Sequence, residues 1–198
     1  MAQLITIVGA SGVGKTTLVQ ALARTGRFVT ALEQHTTRPF QMLFKDNSQY
    51  ALANQMDYFL YRAEQERDLR AAPHIGLMDG GLDLDFHGFT RLFLSRGLLD
   101  QPGFDLCERL YRFIRATLPP PELIVSLVAD PETVAGRLSG RRRVNIARAE
   151  DTDQFNTLLA AWLESVPSTH VLKLDVSRET PDYARSVSVI LQVLKSWQ

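Results

Sequence analysis

Residues 4–17 read Leu-Ile-Thr-Ile-Val-Gly-Ala-Ser-Gly-Val-Gly-Lys-Thr-Thr, and this stretch decides the fold. Its first five residues are mostly β-branched and apolar, which predicts a short buried strand. Residues 9–16 match the complete pattern G-x-x-x-x-G-K-[ST], and an apolar spacing typical of a helix runs from Lys15 to Arg24. A strand, a glycine-rich loop and a helix in this order predict a P-loop, in which backbone N–H groups surround the phosphates of a nucleoside triphosphate.

The P-loop pattern assigns a role to each of its polar positions. Lys15 is expected to reach the β- and γ-phosphates, and Thr16 is expected to bind Mg²⁺. The alternative, a glycine-rich turn with a chance lysine, is disfavoured because a predicted strand precedes the loop and a predicted helix follows it. The residues expected to bind the triphosphate are Gly9, Ser11, Gly12, Val13, Gly14, Lys15, Thr16 and Thr17.

Short apolar runs alternate with helical patterns along the rest of the chain. The predicted strands are 4–8, 28–32, 75–78, 123–128 and 171–174, and the predicted helices are 15–24, 48–72, 86–95, 104–117, 131–138, 152–163 and 183–197. This alternation predicts an α/β fold with a five-stranded parallel sheet and helices on both faces. We expect one P-loop domain over residues 1–198. Ligands of such sheets bind beyond the carboxyl ends of the strands, where the glycine-rich loop, Glu33 and Asp79 are expected.

The composition argues against several other classes of protein. The 22 basic and 22 acidic residues balance, so the chain lacks the basic excess of a nucleic-acid-binding protein. It contains one cysteine, Cys107, and therefore no intrachain disulfide. No apolar run approaches the length needed to span a bilayer, and no targeting segment is visible. We expect a cytoplasmic protein that binds neither nucleic acid nor membrane.

With these elements in order, the chain resembles the deoxynucleoside kinase family, whose members transfer the γ-phosphoryl group of ATP to the 5′-hydroxyl of a deoxynucleoside. The resemblance covers most of the chain in the order and spacing of its elements. It implies that Glu33, at the end of the second strand, is the general base and that Asp79, at the end of the third, binds Mg²⁺. It also implies that Gln55, in the long helix, pairs with the nucleobase, since a carboxamide both donates and accepts hydrogen bonds.

The chain departs from that family at two places. The family has an arginine after the acidic residue of the third strand, and this chain has Gly80; Arg38 and Arg91 are the cations that we consider as replacements. A family tyrosine that contacts the sugar corresponds to Phe44, which has no hydroxyl group. Tyr58, together with Phe40 and Phe59, is expected either to stack on the acceptor or to belong to the core. Asp83 or Asp85 is expected to cap the helix that starts near Phe86, rather than to bind a second metal ion.

A basic run follows the fourth strand. The resemblance implies that it is an arginine-bearing lid, about residues 138–149, which closes over the ATP phosphates. Arg141 and Arg143 fit the family positions best and are expected to act in catalysis, with Arg137 next as an ATP-binding residue. The alternative is a solvated basic helix end. The resemblance also implies a homodimer, for which the apolar stretches 59–60 and 86–93 are candidates; these stretches are equally compatible with a core position.

The sequence therefore predicts a kinase that uses ATP and Mg²⁺ to phosphorylate a small acceptor, in the first instance a nucleoside. Two alternatives remain at this point. One is an ATP-binding regulatory protein with little transfer activity, suggested by Gly80 and Phe44. The other is a kinase of a nucleotide or of a small molecule that is not a nucleoside.

Overall fold

The computed structural model describes residues 2–31, 38–139, 152–195 and 197. Its centre is a five-stranded parallel sheet of β1 (Leu4–Val8), β2 (Phe28–Ala31), β3 (Ile75–Asp79), β4 (Leu123–Val128) and β5 (Val171–Asp175), in the order β2-β3-β1-β4-β5. β1 lies in the middle, and its residues are completely buried because helices cover both faces of the sheet. The register pairs Ile7 with Asp79, so the end of β3 lies beside the start of the P-loop.

The helices have the following bounds: α1 (Lys15–Ala23), α2 (Pro39–Asp46), α3 (Ala51–Ala71), α4 (Leu82–Leu84), α5 (Arg91–Ser95), α6 (Gln101–Thr117), α7 (Pro131–Ser139), α8 (Thr152–Ser165) and α9 (Ala184–Lys195). A π-helical segment, Asp85–Thr90, joins α4 to α5, so residues 82–95 form one continuous helical unit. Short 3₁₀ turns, Ser48–Tyr50 and Ser168–His170, precede α3 and β5.

The sequence patterns located all five strands to within one residue across the described positions, and the strand prediction is confirmed. The main omission is α2, a helix that follows Arg38 and has proline in its first turn. The helix predicted to start near Phe86 begins four residues earlier, directly after Gly81. The candidate interface residues Phe59, Phe86 and Phe93 lie in the hydrophobic core, whereas Leu60 is exposed.

The long helix α3 turns an unusually polar face towards the protein interior. Glu66 is completely buried and accepts hydrogen bonds from Arg70 on its own helix, at 3.2 Å, and from Arg115 on α6, at 2.9 and 3.0 Å. Arg115 also donates to both carboxylate oxygens of Asp83 at 2.9 Å, and the Tyr111 hydroxyl donates to Asp83 at 2.7 Å. This ionic network joins α3, α6 and the segment that follows β3.

The network shows that the capping roles predicted for Asp83 and Asp85 are wrong. None of the described side chains caps α4 at Gly81, where the helical unit starts. Asp83 instead binds Arg115 and Tyr111, and Asp85 accepts a hydrogen bond from Arg62 on α3. Both carboxylates are buried, so they are paired with cations rather than with the N–H groups of a helix end.

His87 gives the protein a pH-dependent stability. Its ring stacks on Trp162 at 5.2 Å and contacts the Tyr111 hydroxyl at 3.2 Å, and burial lowers its pKa to about 4. The unfolded chain binds this proton near pH 6.5. The contribution of His87 to stability is therefore complete above pH 6.5 and is lost as the pH falls towards 4. We expect a loss of roughly 2 kcal/mol over this window from His87 alone, reduced for its partial exposure.

The measurement is urea denaturation of the wild type and of His87→Phe at pH values across this window. The variant keeps an aromatic ring against Trp162 but binds no proton, so its stability should fall less steeply on acidification. His74→Phe, at an exposed histidine, is the matched control and should follow the wild type. Equal slopes for wild type and His87→Phe would contradict the prediction.

Among the residues that the structure describes, no helix combines the length and the apolar character needed to cross a bilayer.

Candidate active site

The P-loop connects β1 to α1 around glycines that no other residue could replace without rearrangement. A Cβ atom at Gly9, where φ is 145°, would lie 2.7 Å from the Leu127 carbonyl oxygen and 2.9 Å from Val13 Cγ1. The backbone therefore passes close to β4 at this point, as only glycine allows. Gly12, Val13 and Gly14 are buried, and Ser11 and residues 15–17 are half-buried at the mouth of the loop. All eight expected triphosphate-binding residues lie together.

Lys15 is folded over the loop that it follows. Its Nζ atom donates hydrogen bonds to the carbonyl oxygens of Gly9, at 2.9 Å, and Ala10, at 3.0 Å. The ammonium group is thereby held against the first two residues of the P-loop, whose backbone N–H groups are expected to surround the phosphates.

Thr16 and Asp79 form the centre of a site that fits Mg²⁺. The Thr16 hydroxyl donates to Asp79 Oδ2 at 2.5 Å, although the two residues are far apart in sequence. Asp79 is 1% exposed, and within the described part of the chain its buried Oδ1 atom has no hydrogen-bond partner. A buried carboxylate oxygen in this state favours a cation. Hydroxyl and carboxylate oxygens are the ligands that Mg²⁺ prefers, with waters and substrate phosphates completing its octahedron.

Arg137, on α7, contacts the P-loop. Its Nη1 atom donates to the Val13 carbonyl at 2.7 Å, and its Nη2 atom donates to the Val176 carbonyl at 2.9 Å, just beyond β5. In this arrangement the guanidinium joins the P-loop to the end of β5. Its predicted contact with ATP remains a prediction.

On the other side of the P-loop, the buried face of α3 carries Gln55. This side chain is 2% exposed, and its Nε2 atom has no hydrogen-bond partner among the described residues. A buried amide donor without a partner costs free energy. A bound ligand could recover this free energy by accepting a hydrogen bond from the amide. Gln55 therefore has the burial and the unused donor expected of a residue that binds a ligand.

The other residues predicted to contact the acceptor differ in their surroundings. Arg38 makes a bidentate ion pair with Asp57, at 2.5 and 2.6 Å, and its guanidinium lies 4.4 Å from the centre of the Tyr61 ring. The Asp57 carboxylate raises the Arg38 pKa through this hydrogen bond. Tyr58 is half-buried, and the centre of its ring lies 5.9 Å from Arg38 Cζ. Phe44 packs on Phe93, with ring centres 5.0 Å apart.

Sequence reasoning missed Arg62, the cation nearest to Gly80 among the described residues. It lies two helical turns after Gln55 on the same face of α3, is 3% exposed, and forms an ion pair with Asp85 at 3.0 Å. The signal was the spacing of positions 55, 59, 62, 66 and 69, which places them all on one side of a helix. Charged residues at such positions resemble a solvent-facing stripe, and for this reason their burial was not anticipated.

A cavity of about 660 Å³ lies between the P-loop, the end of β4, α7 and α8. Its walls are mainly aliphatic side chains, among them Val134, Leu138 and Leu159, and neither Gln55 nor Asp79 lines it. It is therefore separate from the arrangement of Lys15, Thr16 and Asp79, and its apolar walls do not suit a phosphate group.

Three predicted catalytic residues, Glu33, Arg141 and Arg143, lie outside the described residues, as does most of the expected lid. Glu33 is two positions beyond Ala31, where the described part of β2 ends. The expected lid region begins at the end of α7, whose last residue is Ser139.

Comparison with known proteins agrees with the P-loop arrangement described above. The sequence model of a family described as deoxynucleoside kinase matches residues 5–197. A deoxyadenosine/deoxycytidine kinase of Bacillus subtilis (strain 168) is 22% identical over 178 residues, or 87% of this chain and 82% of the relative. A deoxyguanosine kinase of the same organism is 24% identical over 181 residues, or 88% and 86% of the two chains.

The fold itself has a close structural counterpart. The solved structure of a deoxyadenosine kinase from M. mycoides with bound dATP superposes with a TM-score of 0.78. The superposition covers 98% of this chain and 100% of that one at 17% sequence identity. The predicted P-loop architecture, with its five-stranded parallel sheet, is thus confirmed.

Proposed function

Because this chain belongs to the deoxynucleoside kinase family and is a kinase of nucleosides, we propose that it transfers the γ-phosphoryl group of ATP to the 5′-hydroxyl of a deoxynucleoside, with deoxyadenosine the first candidate. The observation that supports this most strongly is the Thr16–Asp79 pair beside the P-loop lysine, with a buried Asp79 oxygen left for a cation. Deoxyadenosine appears in the names of the Bacillus subtilis relative and of the M. mycoides structure.

In this proposal the P-loop positions the donor. The N–H groups of residues 9–16 surround the phosphates, and Lys15 leaves the carbonyls of Gly9 and Ala10 to bind the γ-phosphate. Thr16 and Asp79 would hold Mg²⁺, which neutralises charge on the β- and γ-phosphates when bound. The contribution of these residues is mainly electrostatic, because phosphoryl transfer requires alignment and charge stabilisation rather than a covalent intermediate.

The remaining catalytic roles rest on the family resemblance. Glu33 would accept the proton of the 5′-hydroxyl as general base. Arg141 and Arg143, in the lid proposed for residues 138–149, would contact the transferred phosphoryl group, since a guanidinium makes bidentate contacts with phosphate. Arg137 would support the P-loop from outside while its neighbours in the lid act on ATP.

Gln55 is the residue that we propose for reading the base. A glutamine amide can donate to one ring nitrogen and accept from an adjacent amino group, the pairing that glutamine makes with adenine. No residue that the structure describes accepts a hydrogen bond from its buried Nε2 atom, so a nucleobase with a ring nitrogen at this position would satisfy this donor.

Replacing Gln55 with leucine tests this role. The variant keeps the volume but loses both hydrogen-bonding atoms, so we expect kcat/KM for the preferred deoxynucleoside to fall about 10- to 100-fold, mainly through KM. ATP affinity should be unchanged. Gln20→Leu, at an exposed glutamine of α1, is the matched control. A Gln55→Leu enzyme with wild-type selectivity among the four deoxynucleosides would assign base recognition to other residues.

The proposed function as a whole is tested by a phosphotransfer screen. Purified protein with Mg-ATP is offered the four deoxynucleosides, the ribonucleosides and the monophosphates, and both ADP release and product mass are measured. Transfer to a deoxynucleoside, with the product mass of its 5′-monophosphate, supports the proposal. Transfer only to a monophosphate or to another small molecule would replace it with the second alternative, a kinase of a nucleotide or of a small molecule that is not a nucleoside. Family membership over residues 5–197 favours an enzyme over the regulatory alternative.

We also propose a homodimer. Three large apolar side chains on the contacting helices α3 and α6 are exposed: Leu60 at 54%, Leu106 at 40% and Phe113 at 69%. Leu106 and Phe113 lie two turns apart on one face of α6, and neighbouring apolar side chains at the surface are typical of an interaction site. Sedimentation velocity at micromolar concentration measures the association state, and a monomer at these concentrations would contradict the proposal.

A further inference from the structure

A tyrosine that follows the last strand lies against the P-loop. A Cβ atom at Gly14, where φ is 109°, would lie 1.9 Å from the Tyr183 hydroxyl oxygen and 3.0 Å from Tyr183 Cζ. The tyrosine is 3% exposed and belongs to the same hydrophobic cluster as Val13 of the P-loop. It therefore contacts the loop directly before Lys15 and Thr16, the two residues that the proposed function assigns to the γ-phosphate and to Mg²⁺.

The backbone of Tyr183 has an unusual conformation for an aromatic residue. Its φ angle is 55°, and within the described part of the chain it is the one residue other than glycine with a positive φ angle. Its N–H group donates to the Thr180 carbonyl oxygen at 2.9 Å, and α9 begins at the next residue, Ala184. A bulky side chain adopts this conformation at a cost in free energy, and such strain persists where the surrounding structure requires it. Here the conformation places the ring against the P-loop at the point where the chain enters α9.

Arg137 lies on the same side of Gly14 as Tyr183. Its Nη1 atom would be 3.4 Å from a Cβ atom at Gly14, and its Cζ atom is 5.9 Å from the centre of the Tyr183 ring. The same Nη1 atom donates to the Val13 carbonyl oxygen at 2.7 Å. The Val13 carbonyl and the Gly14 N–H belong to one planar trans peptide, so they point in opposite directions. The Gly14 N–H group is therefore directed away from Arg137, as expected of a group that binds phosphate.

We propose that Tyr183 is a positioning residue for phosphate binding. Its ring packs against Gly14 and holds the Val13–Gly14 peptide in the orientation that turns the N–H groups of the loop towards the triphosphate. Gly14 is also the residue before α1, so its position sets where the first N–H groups of that helix lie. Tyr183 acts through the loop and contacts no atom of the triphosphate. The proposal rests on the proposed function only in that a triphosphate occupies the P-loop.

A core residue of the same cluster provides the control for lost packing. Ile190, on α9, is completely buried and belongs to the hydrophobic cluster that contains Tyr183. Among the described atoms, those nearest to the P-loop glycines belong to other residues. Ile190→Ala removes buried side-chain atoms and lowers stability without changing a contact of Gly14. A purely structural role of Tyr183 would make its variants behave like Ile190→Ala.

The test is the affinity of purified variants for Mg²⁺-tripolyphosphate and for Mg-ATP, measured by isothermal titration calorimetry. Tyr183→Leu keeps an apolar side chain in the core but is too short to reach Gly14, so we expect both dissociation constants to rise at least about tenfold. Tyr183→Phe keeps the ring and should remain within about threefold of the wild type. Ile190→Ala should unfold at a lower temperature and bind both ligands with wild-type affinity. In steady-state kinetics, Tyr183→Leu should raise KM for ATP and leave KM for the deoxynucleoside unchanged.

Thermal denaturation establishes that each variant is folded at the temperature of the titration. Tyr183→Met is a second variant with the same expected increase, because its flexible side chain fills the space of the ring without fixing Gly14. Wild-type affinity of the folded leucine and methionine variants for tripolyphosphate, or an equal loss of affinity in Ile190→Ala, would overturn the proposal. A loss of affinity for ATP alone would also overturn it, because Tyr183 would then act on the nucleoside part of the donor. Wild-type protein that binds both ligands but phosphorylates no deoxynucleoside would contradict the proposed function, whereas the affinities of the variants decide the role of Tyr183.

Discussion

Replacing Lys15 with methionine should lower kcat about 1,000-fold while the protein stays folded. Methionine has a similar length and apolar stem but no charge, so the variant loses the cation that we propose to bind the γ-phosphate. In the structure, the lysine donates hydrogen bonds to the loop carbonyls of Gly9 and Ala10. Its loss should therefore affect transfer far more than stability. The measurement is steady-state kinetics with Mg-ATP and the preferred deoxynucleoside.

Lys195→Met is the matched control, because Lys195 is exposed at the end of α9 and far in sequence from the P-loop. This control should retain wild-type kcat. A Lys15→Met enzyme within about tenfold of the wild type would show that the P-loop lysine contributes little to the transition state, since one lost charge contact at such a site ordinarily has a much larger effect.

Replacing Arg115 with methionine should destabilise the protein by about 3–5 kcal/mol. Arg115 is 10% exposed and donates to both oxygens of Glu66 and both oxygens of Asp83. Burial lowers the pKa of the guanidinium, but the two carboxylates outweigh burial and raise its pKa above the ordinary value. Without Arg115, two carboxylates are left in the interior with fewer partners. Urea denaturation at neutral pH measures the change in the free energy of unfolding.

Arg112→Met makes the same chemical change on the same helix, less than one turn away. Arg112 is 73% exposed and pairs with Glu108 at the surface, so we expect a loss of at most about 0.5 kcal/mol. If the two variants lost equal stability, the buried network would contribute no more than a surface ion pair.

Elements whose signals are local were predictable from the sequence. The strands are short apolar runs, and the P-loop lies between a strand and a helix, so the fold class and the position of the P-loop followed from neighbouring residues. Helix α2 carried a local signal as well, since Pro39 occupies its first turn after Arg38. Phe40, Leu43 and Phe44 also have helical spacing, but the helix is only eight residues long and none of its residues is buried, so this signal was weak.

The buried ion pairs between α3, α6 and the helical unit after β3 were not predictable, for a different reason. Asp83 binds Arg115, which is 32 positions away in the sequence, and Asp85 binds Arg62, which is 23 positions away. No local pattern separates such carboxylates from helix caps, which is how they were interpreted. Arg62 likewise resembles a surface residue in the sequence, because its burial depends on the sheet and on helix α6, which pack around α3.

The strand order also constrains how the chain can be made. β1 pairs with β3 on one side and with β4 on the other, so the P-loop strand is flanked on both sides only after Val128 has been synthesised. Pairings between distant segments form late, because the chain between them must first be ordered. A nascent chain therefore carries the whole phosphate-binding motif through most of its synthesis without the sheet that supports it. Nucleotide binding by this protein should begin only after β4 has emerged from the ribosome, and chains that stop before β4 should be substrates for chaperones and proteases rather than partial kinases.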